Sequence, residues 1–217
     1  MKNYSQNNEQ DIILNYLHSN NLHSGVFLDL GANDGESFSN TRGIMLTFPH
    51  WKGIFIEASS HSFSRLFLLY QEEPERAELI NSVVLKENLI TPNNLIEFFD
   101  SPTHNPASSI DRGLVNRFIS KVNGNGVSID PRKVLIGSVG LKTIMNNYSD
   151  ISFDFINVDI EGGSAEMVLQ DWFNPRNYGC KILCIEHDGY VNQLTNKFNS
   201  LGYTTIDSNG ENLIFGL

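Results

Sequence analysis

The stretch Val26-Phe-Leu-Asp-Leu-Gly-Ala-Asn-Asp-Gly35 constrains the fold more than any other part of the chain. Residues 26–30 form an apolar run broken only by Asp29, the pattern of a strand buried on both faces of a parallel sheet. Gly31 and Gly35 then permit a tight turn in which backbone can approach a ligand closely. Such a strand needs helices over both faces, so strands and helices should alternate along the remainder.

They do. The spacing of Ile12, Ile13, Tyr16 and Leu17 predicts a helix over about 10–18. After the glycine turn the pattern predicts a helix at 41–48, a strand at 53–57, a helix at 62–70, a strand at 79–85 and an added strand at 95–99. Helices at 141–148, 164–172 and 191–201 then alternate with strands at 153–159 and 181–186. Strands at 203–207 and 212–215 close the chain around the turn Ser208-Asn-Gly. The order predicts a doubly wound, mostly parallel α/β sheet with an antiparallel finish, in a single domain over 1–217 with an N-terminal helical segment at 1–24. The stretch 101–133 is rich in Ser, Asn, Pro and Gly and carries a short helical pattern near 114–121. It reads as a lid or substrate loop, or as an insertion without a role.

Composition removes several function classes. Twenty-five acidic residues against 15 basic give a formal net charge of −10, so no general attraction to nucleic-acid or membrane phosphates is expected. No apolar run is long enough to span a bilayer, and the polar start lacks a secretory pattern, which points to the cytoplasm. Cys180 and Cys184 fall on one apolar strand-like run, too far apart for a disulfide, and read as buried thiols.

In an open parallel sheet, ligands bind where strands end at their carboxyl side. The first such end is the turn holding Gly31, Ala32, Asn33, Asp34 and Gly35, whose amides can meet an anionic ligand group. A dinucleotide fingerprint requires G-x-G-x-x-G, but Asn33 and Glu36 stand where the second and third glycines should be. The G-x-x-x-G turn suits a ligand without a pyrophosphate, such as S-adenosylmethionine. Glu57, followed by Ala58, closes the second strand 22 positions after Gly35 and is placed to accept hydrogen bonds from a ribose diol. The plainer reading is a surface glutamate paired with Lys52 or Arg65.

Asp159 and Glu161 end the strand at 153–159 and share a side if it continues that far. They can deprotonate an acceptor hydroxyl, hold an amino group, or bind a divalent cation, although no third metal ligand can be assigned. His187, between Glu186 and Asp188, is a further candidate base.

Together these residues resemble the FkbM-type S-adenosylmethionine-dependent methyltransferases, a branch of the class I superfamily. The resemblance runs from Ser5 to about Gly189 and rests on Ser5-Gln6 with Gln10-Asp11, residues 27–35, Ser39-Asn40-Thr41, residues 51–57, Ser108-Ser109, residues 153–163 and Ile185-Glu186-His187. It implies a Rossmann-like, mostly parallel seven-stranded sheet with an antiparallel C-terminal strand. It further implies that Asp29, Gly31 and Gly35 belong to the cofactor turn, Glu57 to the ribose contact, and Asn81 and Ser82 to the adenine side. Asp159, Glu161 and His187 would face the methyl group and acceptor, and Asn40 the methionine end, unless it caps a helix. Gln6 and Asp11 would close over the site or anchor the first helix.

Two positions depart from the family pattern. Ser164 stands where a further glutamate is frequent, with Glu166 displaced by two positions, and Ala58 replaces a proline. The expected activity is O-methylation of a hydroxyl on a sugar, glycoconjugate or other small metabolite. The rivals are a nucleotide-dependent oxidoreductase, which the glycine spacing disfavours, and a non-catalytic module holding an adenosyl ligand.

Overall fold

The computed structural model describes residues 2–100, 108–123 and 131–217. In chain order its elements begin with α1 (Glu9–Ser19), β1 (Ser24–Leu30), α2 (Arg42–Thr47), β2 (His50–Glu57) and α3 (Ser60–Tyr70). Next come β3 (Ala77–Asn81), β4 (Val83–Leu85), β5 (Leu95–Asp100), α4 (Arg112–Asn123), β6 (Arg132–Gly140) and α5 (Leu141–Asn147). The last are β7 (Phe155–Val158), α6 (Ser164–Val168), β8 (Ile182–Glu186), α7 (Val191–Ser200), β9 (Thr204–Ser208) and β10 (Asn212–Gly216).

Seven strands form one sheet in the order β3-β2-β1-β7-β8-β10-β9. All pairings are parallel except those of β10, which runs antiparallel to β8 and β9. The α/β architecture with its antiparallel finish is therefore as expected. Successive strand side chains point to opposite faces, and the two faces are covered separately. Phe27, Phe55 and Phe155 meet Ile13 and Leu17 of α1, Ile44 and Met45 of α2, and Leu66 and Tyr70 of α3. Leu28, Leu30, Ile156 and Val158 meet side chains of α5, α6 and α7 on the other face.

Three expectations need correction. The strand at 79–85 is two: β3 stays in the large sheet, while β4 joins a three-stranded sheet of order β4-β6-β5. The break is at Ser82, whose N–H donates to the Glu57 carbonyl and whose hydroxyl donates to the Gly137 carbonyl. Strand β6 was not anticipated, because Gly137, Ser138 and the largely exposed Leu135 interrupt its apolar alternation. Strand β7 ends at Val158, so Asp159 and Glu161 stand beyond it and not on a continuing strand face. In the proposed lid, α4 is longer than expected, and 101–107 and 124–130 lie outside the described residues.

The strand ends meet tightly at Gly31. Its φ of +88° is left-handed, and a Cβ there would run into the backbone carbonyl of Asp159. Gly31→Ala is therefore expected to lower stability by roughly 3 kcal/mol or more, from the left-handed penalty and a clash that only backbone movement relieves. Denaturant unfolding monitored by circular dichroism reads this directly, and a variant as stable as the parent would contradict the packing.

Candidate functional site

A cavity of about 470 Å³ opens at the carboxyl ends of β1, β2 and β7, with further walls from β4 and residues 108–111. Small-molecule sites typically enclose about 300–1,000 Å³. Its floor is a buried polar network. Asp29 Oδ2 accepts from Thr41 Oγ1 at 2.7 Å and Oδ1 accepts from Asn157 Nδ2 at 2.9 Å, while Asn157 Oδ1 accepts from Asn40 Nδ2 at 3.1 Å. Burial pushes the Asp29 carboxyl up, and its two donors pull the other way. The network ties β1 to β7 and to the loop before α2. Asn40 serves this network and not as a helix cap; the Arg42 N–H at the start of α2 instead donates to Ser39 Oγ at 3.0 Å.

The glycine turn lines the cavity through Gly31, Ala32 and Asn33. Four of its five amides are consumed internally. Gly31 and Ala32 N–H both donate to the Ile56 carbonyl, Gly35 N–H to the Ala32 carbonyl, and Asn33 N–H to Glu57 Oε2 at 2.8 Å. Helix α2 starts only at Arg42. The expectation that these amides meet a ligand anion is thereby corrected, because the turn folds back on β2. Asp34 and Gly35 lie outside the lining. Asp34 accepts from the Glu36 and Ser37 amides and pairs with Arg65 at 3.2 Å, while Gly35 packs against Leu66, Leu69 and Tyr70.

Glu57 is a buried side chain in the cavity wall, with Ala58 beside it. Its Oε1 accepts from Ser59 N–H at 2.6 Å, and Oε2 from Asn33 N–H. Burial, reinforced by the charges of Asp100 and Asp29, lifts its carboxyl to about 7 against the pull of those two amides. The surface pairing with Lys52 or Arg65 is not what forms. Asn81 stands outside the lining because its Nδ2 is committed to the Glu57 and Ala58 carbonyls, at 2.8 and 3.1 Å. Ser82 does line the cavity.

Asp159 and Glu161 both line it, joined by Glu186 from the end of β8. Asp159 N–H donates to the Leu30 carbonyl, and Ser109 Oγ donates to the Glu161 carbonyl at 3.1 Å. Burial first, then the Glu161 charge, raises Asp159. Burial and then the Asp159 charge raise Glu186, whose Oε2 accepts from Ser164 Oγ at 3.1 Å. Burial with the Asp188 and Glu211 charges brings Glu161 to about 7. His187 is outside the lining, its Nδ1 accepting from Gly189 N–H at 3.0 Å. Val158 pairs with Ile185 in a parallel register, so the position beside Asp159 is Glu186, and the histidine falls one residue too late.

Lys86, Glu211 and Asn212 also line the cavity and carried no motif. The rule of carboxyl ends could not find the last two, because β10 is antiparallel and reaches this edge with its amino end. Gln6 lines the cavity, whereas Asp11 is exposed on α1. Cys180 and Cys184 are buried free thiols, raised by burial. Among the described residues, no group of three or more His, Cys, Asp or Glu side chains is arranged to hold a metal ion, and no helix is long and apolar enough to cross a membrane.

No protein-family model and no curated protein matches the chain. Solved structures similar to it include fibrillarin from Aeropyrum pernix with natively bound S-adenosyl-L-methionine, at 11% identity and TM-score 0.43, covering 88% of this chain and 66% of that one. Another is MNMC2 from Aquifex aeolicus, at 9% identity and TM-score 0.37, covering 90% of this chain and 54% of that one. A putative S-adenosyl-L-methionine-dependent methyltransferase from Methanococcus maripaludis matches at 13% identity and TM-score 0.36, over 96% of this chain and 84% of that one. The chain thus spans just under two thirds of the fibrillarin and about half of MNMC2.

The raised carboxyls imply a pH dependence. Each binds its proton more tightly folded than unfolded, so its stabilisation is complete below the ordinary carboxylate range and is lost as pH rises through about 7 for Glu57 and Glu161. The melting temperature of the ligand-free protein should therefore fall between about pH 5 and pH 8, and Glu161→Gln should make that fall shallower. Differential scanning calorimetry across the interval checks it; a melting temperature that climbs instead would contradict the assignment.

Proposed function

We propose that the chain is an S-adenosylmethionine-dependent methyltransferase acting on a hydroxyl of a small polar acceptor, a sugar or glycoconjugate, as its FkbM-type resemblance implies. The observation that carries this reading is the charge of the cavity. Among the described residues its lining holds eight carboxyl groups and one ammonium group, that of Lys86, which is already paired with Glu166. A pyrophosphate-bearing dinucleotide would be repelled there, whereas a ligand with a sulfonium and an ammonium group is complemented.

The residues present fit that cofactor. Glu57 keeps lone pairs beyond those taken by Ser59 and Asn33, so it can accept from both hydroxyls of a ribose. Ser82 and Val83 line the adjoining wall, and Gln6, Ser37 and Ser39 add polar groups near the glycine turn. When bound, S-adenosylmethionine supplies an electrophilic methyl group. Glu161, with its carboxyl at about 7, is partly ionised near neutral pH and suited to take the acceptor's hydroxyl proton. Asp159, raised by burial and the Glu161 charge, and Glu186, raised by burial and the Asp159 charge, favour their protonated forms and so limit the negative charge beside it. Holding the acceptor in line with the methyl group supplies much of the acceleration in such transfers.

Calorimetric titration with S-adenosylmethionine and S-adenosylhomocysteine tests the cofactor. Both should bind, NAD should not, and Glu57→Gln should weaken both by about 10- to 100-fold, the worth of charge-assisted hydrogen bonds to a diol. Failure of the parent protein to bind either would overturn the reading, and undiminished binding by Glu57→Gln would remove the ribose assignment. With a hydroxylated acceptor, Glu161→Gln should lower kcat by about 100-fold or more while cofactor affinity stays unchanged.

A further inference from the structure

Where β8 meets β10, the cavity wall carries more carboxyl groups than the cofactor reading uses. Asn212 pairs with Glu186 across the two strands, and both line the cavity with Glu211. Asn212 is only 5% exposed. Its Nδ2 donates to Glu9 Oε1 at 2.9 Å, and Asn209 Nδ2 donates to the same oxygen at 2.8 Å. Burial pushes the Glu9 carboxyl up, but hydrogen bonds from its own backbone, from Asn7 and from the two asparagines outweigh it and leave the carboxyl lowered. Glu9 is thus ionised and only accepts, which fixes the amide of Asn212 with its nitrogen toward α1. The other arm, Oδ1, is buried with no hydrogen-bond partner among the described residues.

A buried acceptor of this kind calls for a donor. The surrounding carboxylates call for a cation, and the lining ammonium of Lys86 is spent on Glu166. We propose that this end of the cavity binds a primary ammonium group carried by the acceptor, so that the substrate class is a hydroxylated amine, an amino sugar or amino alcohol. The inference rests on the methyltransferase reading and narrows its acceptor. An ammonium has three donors and no acceptor, matching Asn212 Oδ1 with the carboxylates of Glu186 and Glu211. Its charge also replaces the proton that burial and repulsion keep on Glu186. A neutral sugar would supply a donor but leave the carboxylates opposed, and an acidic or phosphorylated acceptor would add to the repulsion.

The test is calorimetry on the whole chain, first with S-adenosylhomocysteine and then, at saturation, with matched ligands: glucosamine against N-acetylglucosamine and glucose, and ethanolamine against ethylene glycol. At least one amine should bind about tenfold or more tighter than its neutral counterparts, the scale of a hydrogen-bonded charge pair. Glu186→Gln should erase most of that preference. Glu211→Gln, on an exposed residue, should reduce it, and both variants should still be saturable with S-adenosylhomocysteine, so that the amine comparison is made on the same complex. No preference for the amines, or a preference that neither variant changes, overturns the proposal while leaving the methyltransferase reading intact. If S-adenosylhomocysteine does not bind, that reading fails instead, and the amine comparison on the free protein still decides whether the ammonium site exists.

Discussion

At Gly31 the backbone of β1 meets the strands on either side of it. Its amide and that of Ala32 reach the Ile56 carbonyl of β2, while the Leu30 carbonyl takes the amide of Asp159 just past β7. The approach is close enough that any side chain at 31 would strike the Asp159 carbonyl. Three strand ends are therefore locked in one small volume, and the side chains that follow them, Asn33, Glu57 and Asp159, have no choice but to share a cavity. The Asp29 network beneath does the same work from below, with Thr41 and Asn157 holding one carboxylate between β1, β7 and the entry to α2.

That convergence has an electrostatic cost. Carboxyl groups brought together and withdrawn from water disfavour ionisation, which is why Glu57, Asp159, Glu161 and Glu186 are all raised. Stability alone would not gather them, since apolar residues of similar volume would pack without the repulsion. Such clusters of perturbed groups mark functional sites, and here the cluster favours a cationic ligand. The same logic separates Glu57 from Glu161. Both carboxyls are raised to about 7 and differ in how they are held: Glu57 has both oxygens fixed by backbone amides, a group built to stay in place and accept hydrogen bonds, whereas burial and the charges of Asp188 and Glu211 raise Glu161, a group suited to exchanging a proton.

Much of this was legible in the chain. The alternation of apolar runs and helical spacings is a local property, and β1, β2, β8 and the helices covering them emerged close to where the pattern placed them. Glu57 was legible because a strand end after a glycine turn has a known address. Strand β6 was not, since an edge with Gly137, Ser138 and exposed Leu135 lacks the period-two signal that burial on one face imposes. His187 carries the more distinctive chemistry in the sequence, whereas strand register decides that its neighbour Glu186 reaches the cavity.

The sequence by itself determined the layered α/β plan, the glycine turn and the carboxylates that end the parallel strands, because periodicity, turn chemistry and strand polarity act over a few residues. Only the tertiary structure decided that the amides of Gly31, Ala32 and Asn33 are consumed by β2, that Asp34, Gly35 and Asn81 lie outside the cavity lining, and that Glu211 and Asn212 enter from the amino end of an antiparallel strand. Those outcomes depend on which backbone groups find partners across the sheet, and such partners are dozens to hundreds of positions away along the chain.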